Sequence, residues 1–268
     1  MAGILFIISA PSGSGKSTLV NEVRKQLSGI EFSVSWTTRQ PRGSEQHGRE
    51  YNFTTREEFE RMLAAGQFLE HAEVFGNYYG TARSSLELAR REGHDLVLDI
   101  DVQGAAQVRA TMPEAVSIFV LPPNPKVLRT RLRNRSRAEG VENEAEVYRR
   151  LGEASKEIEN YREYGYILVN DTLDRAVAQL EAIVLAERFY RNDEPIAYRS
   201  RRVLEVAAGC LQANSQERLK PVLQAFGILN PPGQRELPFV EDFDEEDSQE
   251  EKEDLDKGDS NDEQRGLQ

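Results

Sequence analysis

Residues 4–18 read ILFIISAPSGSGKST, and this stretch decides the fold class. Ile4 to Ile8 form an unbroken apolar run, the pattern of a strand covered on both faces, as in a parallel sheet. A small, Gly-rich turn follows. Lys16, Ser17 and Thr18 then open a segment in which Leu19, Val23 and Leu27 recur at helical spacing. Strand, glycine loop and helix are the setting in which backbone N–H groups and a helix N-terminus converge on one anionic ligand. In such a loop the lysine, Lys16, reaches the β- and γ-phosphates and the Ser17 hydroxyl ligates Mg²⁺. A nucleoside triphosphate site is therefore expected over Ala10, Pro11, Ser12, Gly13, Ser14, Gly15, Lys16, Ser17 and Thr18. The usual spelling, G-x-x-x-x-G-K-[ST], opens on glycine, and here the position is Ala10. Its methyl is tolerable with a negative φ that clears the phosphates. The bland alternative is a chance glycine turn between a strand and a helix.

Further strand-like runs lie at residues 95–100, 116–121 and 166–170, the first after a helical segment ending near Gly93. The last precedes an amphipathic run from Leu173 to Tyr190. Strands alternating with helices of ten or more residues predict an α/β fold with a parallel sheet flanked by helices. The core is expected over residues 1–33, 84–124 and 161–195. Two inserts interrupt it: 34–83, of mixed α+β character, and 125–160, charged and helical. In the first, Thr55-Arg56-Glu57-Glu58 reads as a capping box opening a helix that ends at Gly66. Residues 196–240 form an appendage with two expected helices, Arg202–Leu211 and a second from Asn214-Ser215 to Gly227. Pro221 is an expected kink in the second.

The net charge of −12 is concentrated at one end. Residues 241–268 hold 14 Asp/Glu against Lys252, Lys257 and Arg265, a net of −11, leaving about −1 on the other 240. The acidic run is expected to be a disordered, solvating tail. The near-neutral body gives no electrostatic case for nucleic acid. No apolar run approaches the ~18 residues of a membrane span, and no signal peptide is read at the N-terminus. Cys210 is the single cysteine, which fits a reducing cytoplasm. His47, His71 and His94 lack zinc-site spacing.

Four constellations carry chemistry. Arg39 and Arg42 flank Pro41, with Tyr51 beyond; they suit phosphate oxygens, or are ordinary arginines on a solvated turn. Glu70 lies in a mostly apolar segment. It pairs with a cation or faces water, or it reads a base, since a carboxylate accepts from both the N1–H and the exocyclic amine of guanine. Asp99 and Asp101 share one side of a strand end, where such sheets bind ligands. They hold Mg²⁺ through water, orient arginines, or merely cap a helix. Arg131 and Arg135 share a helix face, with Arg150 on the next helix; they form a mobile phosphate clamp or a salt-bridged surface.

Taken together, SAPSGSGKST, SWTTRQPR, GREY, FLEHAEVFGNYYGT, LDIDVQGA, TRLRNR, RRL and ILVND resemble the guanylate kinase family, from about residue 3 to residue 190. That resemblance implies transfer of a phosphoryl group from ATP to GMP with Mg²⁺. It also implies a P-loop NTPase core, a GMP-binding domain over 34–83 and a lid over 125–160. By it, Ser35, Glu70, Thr81 and Asp101 match positions contacting guanine. Arg39, Arg42, Tyr51 and Tyr79 match those holding the GMP phosphate. Arg131, Arg135 and Arg150 match arginines on the transferring phosphate, and Asn170 lies near the expected adenine. The resemblance ends near residue 190, and the segment beyond about residue 195 is expected to be an appendage without a match in the family. No general base is required, because a phosphate monoester with a second pKa of about 6 is already mostly anionic at pH 7. An adenylate or thymidylate kinase is disfavoured by Glu70 with Ser35. A peptide-binding scaffold of this type is disfavoured by the intact Lys16, Ser17, Arg39 and Arg131.

Overall fold

The computed structural model describes residues 3–74, 76–138, 140, 143–192 and 198–229. The chain divides into two compact units, Met1–Phe226 and Gly227–Gln268, and every element named below belongs to the first. The acidic run 241–268 lies outside the described residues.

Five strands make the central sheet: β1 (Leu5–Ser9), β2 (Ile30–Phe32), β7 (Asp95–Asp99), β8 (Val116–Leu121) and β9 (Tyr166–Val169). Their order is β2-β7-β1-β8-β9, and every pairing is parallel. The apolar runs follow from this, since β1 and β8 are buried along their whole length. A parallel strand between layers of helices has no wet face. Helix α1 (Lys16–Gln26) and helix α7 (Leu173–Asn192) cover the sheet. Leu19 and Val23 of α1 pack with Leu180, Ile183 and Val184 of α7 and with Phe6, Ile8 and Ile118 of the strands. At the opposite end from the P-loop, Asp95 accepts from the Ile4 amide at 2.7 Å and from Arg188 Nε at 2.7 Å. Both carboxylate oxygens are thereby satisfied in a site only 6 % exposed.

A second sheet contains β3 (Trp36–Thr37), β4 (Asn52–Phe53), β5 (Phe68–Val74) and β6 (Asn77–Ala82), in the order β4-β3-β6-β5. The N-cap half of the expected capping box is formed: Thr55 Oγ1 accepts from the Glu58 amide at 3.2 Å at the start of α2 (Arg56–Ala64), while the Glu58 carboxylate turns to Arg61. Phe59 of α2 stacks on Phe68 of β5 with ring centroids 4.4 Å apart. Phe68, Glu70 and Ala72 alternate onto the buried face of β5. The period of two thus places a carboxylate in an apolar row.

Helix α3 (Arg83–Glu92) leads into β7, and helix α4 (Val102–Thr111) follows it. The charged insert folds as α5 (Pro125–Ala138) and α6 (Glu144–Ile158). Leu128, Leu132, Val147, Leu151 and Ile158 are buried, so its arginines decorate helices with an apolar inner stripe. The appendage contributes α8 (Tyr198–Cys210) and α9 (Gln216–Ala225), with Pro221 inside α9. Ala207 and Cys210 join the main core cluster, so this segment is built into the body.

Candidate active site

The C-terminal ends of the parallel strands open onto one cavity of about 790 Å³. The P-loop forms one wall. Gly13 and Gly15 have φ of +86° and +85°, a region that excludes most side chains. A Cβ on Gly15 would also stand 2.5 Å from Asn170 Nδ2. The loop is pinned from behind: the Ser14 carbonyl accepts from Asn170 Nδ2 at 2.8 Å and from Arg131 at 3.1 Å. Arg131 also donates to the Asn170 carbonyl at 3.2 Å. Ser14 Oγ is fully buried with no hydrogen-bond partner. The Ala10 methyl is partly buried against the main core, so the departure from glycine is absorbed by packing.

Lys16 lies at the start of α1, ion-paired with Asp99 and donating to the Ile100 carbonyl at 3.1 Å. Burial opposes its charge, but the Asp99 carboxylate outweighs this, and the pKa stands above the ordinary lysine value. Asp101 caps α4, accepting from the Gly104 amide at 2.8 Å, and also lines the cavity. Capping and site-lining, alternatives in the sequence, are thus both true of this residue.

The opposite wall carries Ser35, Arg42, Tyr51, Glu70 and Tyr79. The Tyr51 and Tyr79 rings meet edge to face at 5.9 Å. Glu70 is 4 % exposed. Desolvation pushes its carboxyl up to about 7; neighbouring Thr81 pulls it down, and Asp101 pushes it further up. The helical wall supplies Arg131, Arg135 and Arg150; Arg150 Nε donates to Glu146 at 2.8 Å.

Arg39 and Thr81 are not among the cavity-lining residues. The Arg39 guanidinium is held by Glu45 at 2.9 Å and stands 5.2 Å from the centre of the Tyr51 ring. Thr81 is fully buried behind Glu70. Sequence reasoning missed Glu153, Ala154 and Glu157, which line the cavity from α6. Burial raises Glu157 to about 7 as well, with Asp101 adding to the effect. Their spacing with Arg150 (one face at i, i+3, i+4 and i+7) was the available signal, hidden in a run of charges that reads as solvated.

A phosphate-binding loop at the switch point of a parallel sheet, sharing its cavity with three arginines and a buried carboxylate, defines a P-loop phosphotransferase acting on nucleotides. The family is fixed by comparison. The model of the family "Guanylate kinase" matches residues 3–187. A guanylate kinase of Koribacter versatilis (strain Ellin345) is 56 % identical over 232 residues, 87 % of this chain and 99 % of that one. Its counterpart in Escherichia coli (strain K12) is 48 % identical over 188 residues, 69 % of this chain and 89 % of that one. The crystal structure of guanylate kinase from Anaplasma phagocytophilum matches with a TM-score of 0.58 at 35 % identity, covering 69 % of this chain and 86 % of that one. The chain belongs to the guanylate kinase family and is an ATP:GMP phosphotransferase.

Proposed function

We propose that the two walls of the cavity divide the two substrates between them. ATP places its phosphates on Pro11–Thr18, with Lys16 on the β- and γ-phosphates and its adenine toward Asn170. GMP places its base against Glu70, Ser35 and Asp101, with Thr81 backing Glu70 from behind, and its phosphate toward Arg42, Tyr51 and Tyr79. Arg39 joins that phosphate set by exchanging Glu45 for it. The observation that carries this division is Glu70, a buried carboxylate in an otherwise apolar row, facing the same cavity as the P-loop. A desolvated acceptor there gains most from a base that offers two adjacent donors.

The chemistry needs positioning and charge neutralisation more than proton transfer. The attacking group is an oxygen of the GMP phosphate. Lys16, Arg131, Arg135 and Arg150 neutralise charge on the moving phosphoryl group, worth several kcal/mol per well-placed donor. Ser17 and Asp99 are hard oxygen donors beside the loop and suit Mg²⁺, Asp99 through water; the ion would neutralise charge on the ATP phosphates. A cytoplasmic enzyme of purine nucleotide metabolism, recycling GMP without nucleic acid or membrane partners, fits this reading. Among the described residues no helix is long and apolar enough to cross a membrane. The test is a coupled ADP-release assay with GMP, IMP and AMP, with and without EDTA. The order GMP, then IMP, then AMP, together with dependence on added Mg²⁺, supports the assignment. Equal rates with GMP and AMP would remove Glu70 from base recognition.

A further inference from the structure

The central sheet has an outer edge at β9, and the chain's own C-terminal segment covers it. In a parallel strand, residues two apart point their carbonyls to the same side. β9 pairs with β8 through its inner edge. Of the carbonyls on the outward side, those of Gly165, Ile167 and Val169, the first two are taken by the appendage. Gln212 donates its backbone N–H to Gly165 O at 2.8 Å, and the Arg218 guanidinium donates to Ile167 O at 3.0 Å. Leu211 forms an isolated antiparallel bridge with Tyr166 between them. On the strand's face, Tyr166 shares a core cluster with Ala207 and Cys210 of α8.

β9 ends one residue before Asn170. Asn170 is the residue whose side chain holds the Ser14 carbonyl and whose own carbonyl holds Arg131. Its backbone amide donates to Leu121 O at 2.8 Å. The strand therefore sets where Asn170 stands, and Asn170 sets the back of the P-loop. The Escherichia coli and Alkalilimnicola ehrlichii guanylate kinases align over 188 residues, whereas the Koribacter versatilis one aligns over 232. The Koribacter versatilis match is long enough to take in this segment, which corrects the expectation that the family holds no counterpart of it.

We propose that residues 198–226 are a brace on β9 that positions Asn170, and through it the P-loop, for the phosphoryl donor. Gln212 and Arg218 are its positioning residues. This inference rests on assigning the P-loop wall to ATP. No residue of the brace lines the cavity, so the brace touches neither substrate.

The experiment uses the full chain with Gln212→Pro, Arg218→Ala and the double variant. Gln212 is the first residue of a 3₁₀ turn, preceded by Leu211 at φ −54° and ψ 137°. Proline fits there and removes only the donor. KM for ATP should rise about three- to tenfold in each single variant, the range expected for one lost hydrogen bond. KM for GMP should stay within about twofold, because nothing joins the brace to the opposite wall. Arg218→Lys, which keeps a donor, should recover most of the change. Two results would overturn the brace: an unchanged KM for ATP in the double variant, or equal rises in both KM values. Saturation by ATP in the unaltered protein, lost in Lys16→Ala, is checked first; its failure would count against the P-loop assignment and leave the brace to be read from hydrogen exchange at Asn170. Faster exchange there in Arg218→Ala supports the brace, and unchanged exchange removes it.

Discussion

A Cβ placed on Gly104 would stand 2.3 Å from Oε2 of Glu70. The third residue of helix α4 must lack a side chain so that the carboxylate can lie against the helix, beside Asp101. Gly104→Ala is expected to leave the fold intact, since Ala is favoured in a helix by up to about 1 kcal/mol and the clash falls on the end of a flexible side chain. The carboxylate must move, and its bonds to guanine, roughly 1.5–3 kcal/mol each, lose their alignment. KM for GMP should rise at least about tenfold with KM for ATP unchanged. Unaltered GMP kinetics would show that Glu70 does not need this position.

Glu70→Gln should weaken GMP strongly and narrow the GMP/AMP preference, because one acceptor becomes a donor. The same change should stabilise the protein at high pH. The carboxyl titrates near 7 in the folded chain against 4.5 ordinarily, so the folded state binds more protons across that window. Wild-type stability therefore carries a penalty that grows as pH rises from 4.5 through 7 and is full above it. Melting curves at pH 5 and pH 8 should show the variant gaining on wild type at pH 8 by roughly 1–3 kcal/mol. A gap of the same size at both pH values would remove the titration.

Lys16→Ala should abolish turnover while leaving a folded protein. The Asp99 partner keeps water access at 31 % exposure, so losing the ion pair costs little stability. The loss in kcat should reflect several kcal/mol of transition-state stabilisation. A folded variant with near wild-type kcat would remove the loop from the reaction.

Asn170→Ala should raise KM for ATP more than KM for GMP. It removes the 2.8 Å bond to the Ser14 carbonyl, while Arg131 retains its own bond to that oxygen. An effect of about 1–3 kcal/mol is expected, measured as paired KM values. Equal effects on both substrates would place Asn170 in general packing.

Much of the core was legible because its signals are local. The run at 116–121 is β8 residue for residue, and the run at 166–170 is β9 with Asn170 at its end. The appendage helices lie near their expected places. Helix α4 was not read, because its small residues and glycine give little amphipathic pattern. The strand β2 was missed for its shortness. In the site, the types of residue were visible but their partners were not. Arg39 is held by Glu45, and Asp99 by Lys16, across 83 residues of chain in the second case. Asn170 was expected near adenine, while its visible bonds run to the back of the P-loop. Glu153 and Glu157 look like ordinary surface charges until α6 is packed over the cavity.

The strand order has a consequence in time. β1 emerges first from synthesis, yet its sheet neighbours begin at Asp95 and Val116, and the outer edge of β9 waits for Gln212 and Arg218. Closing such long loops delays the rewarding contacts, so this sheet assembles slowly. A nascent chain in which β9 has emerged but the last two helices have not would show a bare β9 edge, able to pair with another chain. Its most aggregation-prone moment therefore falls just before the last helices emerge, and occupancy by chaperones should peak there.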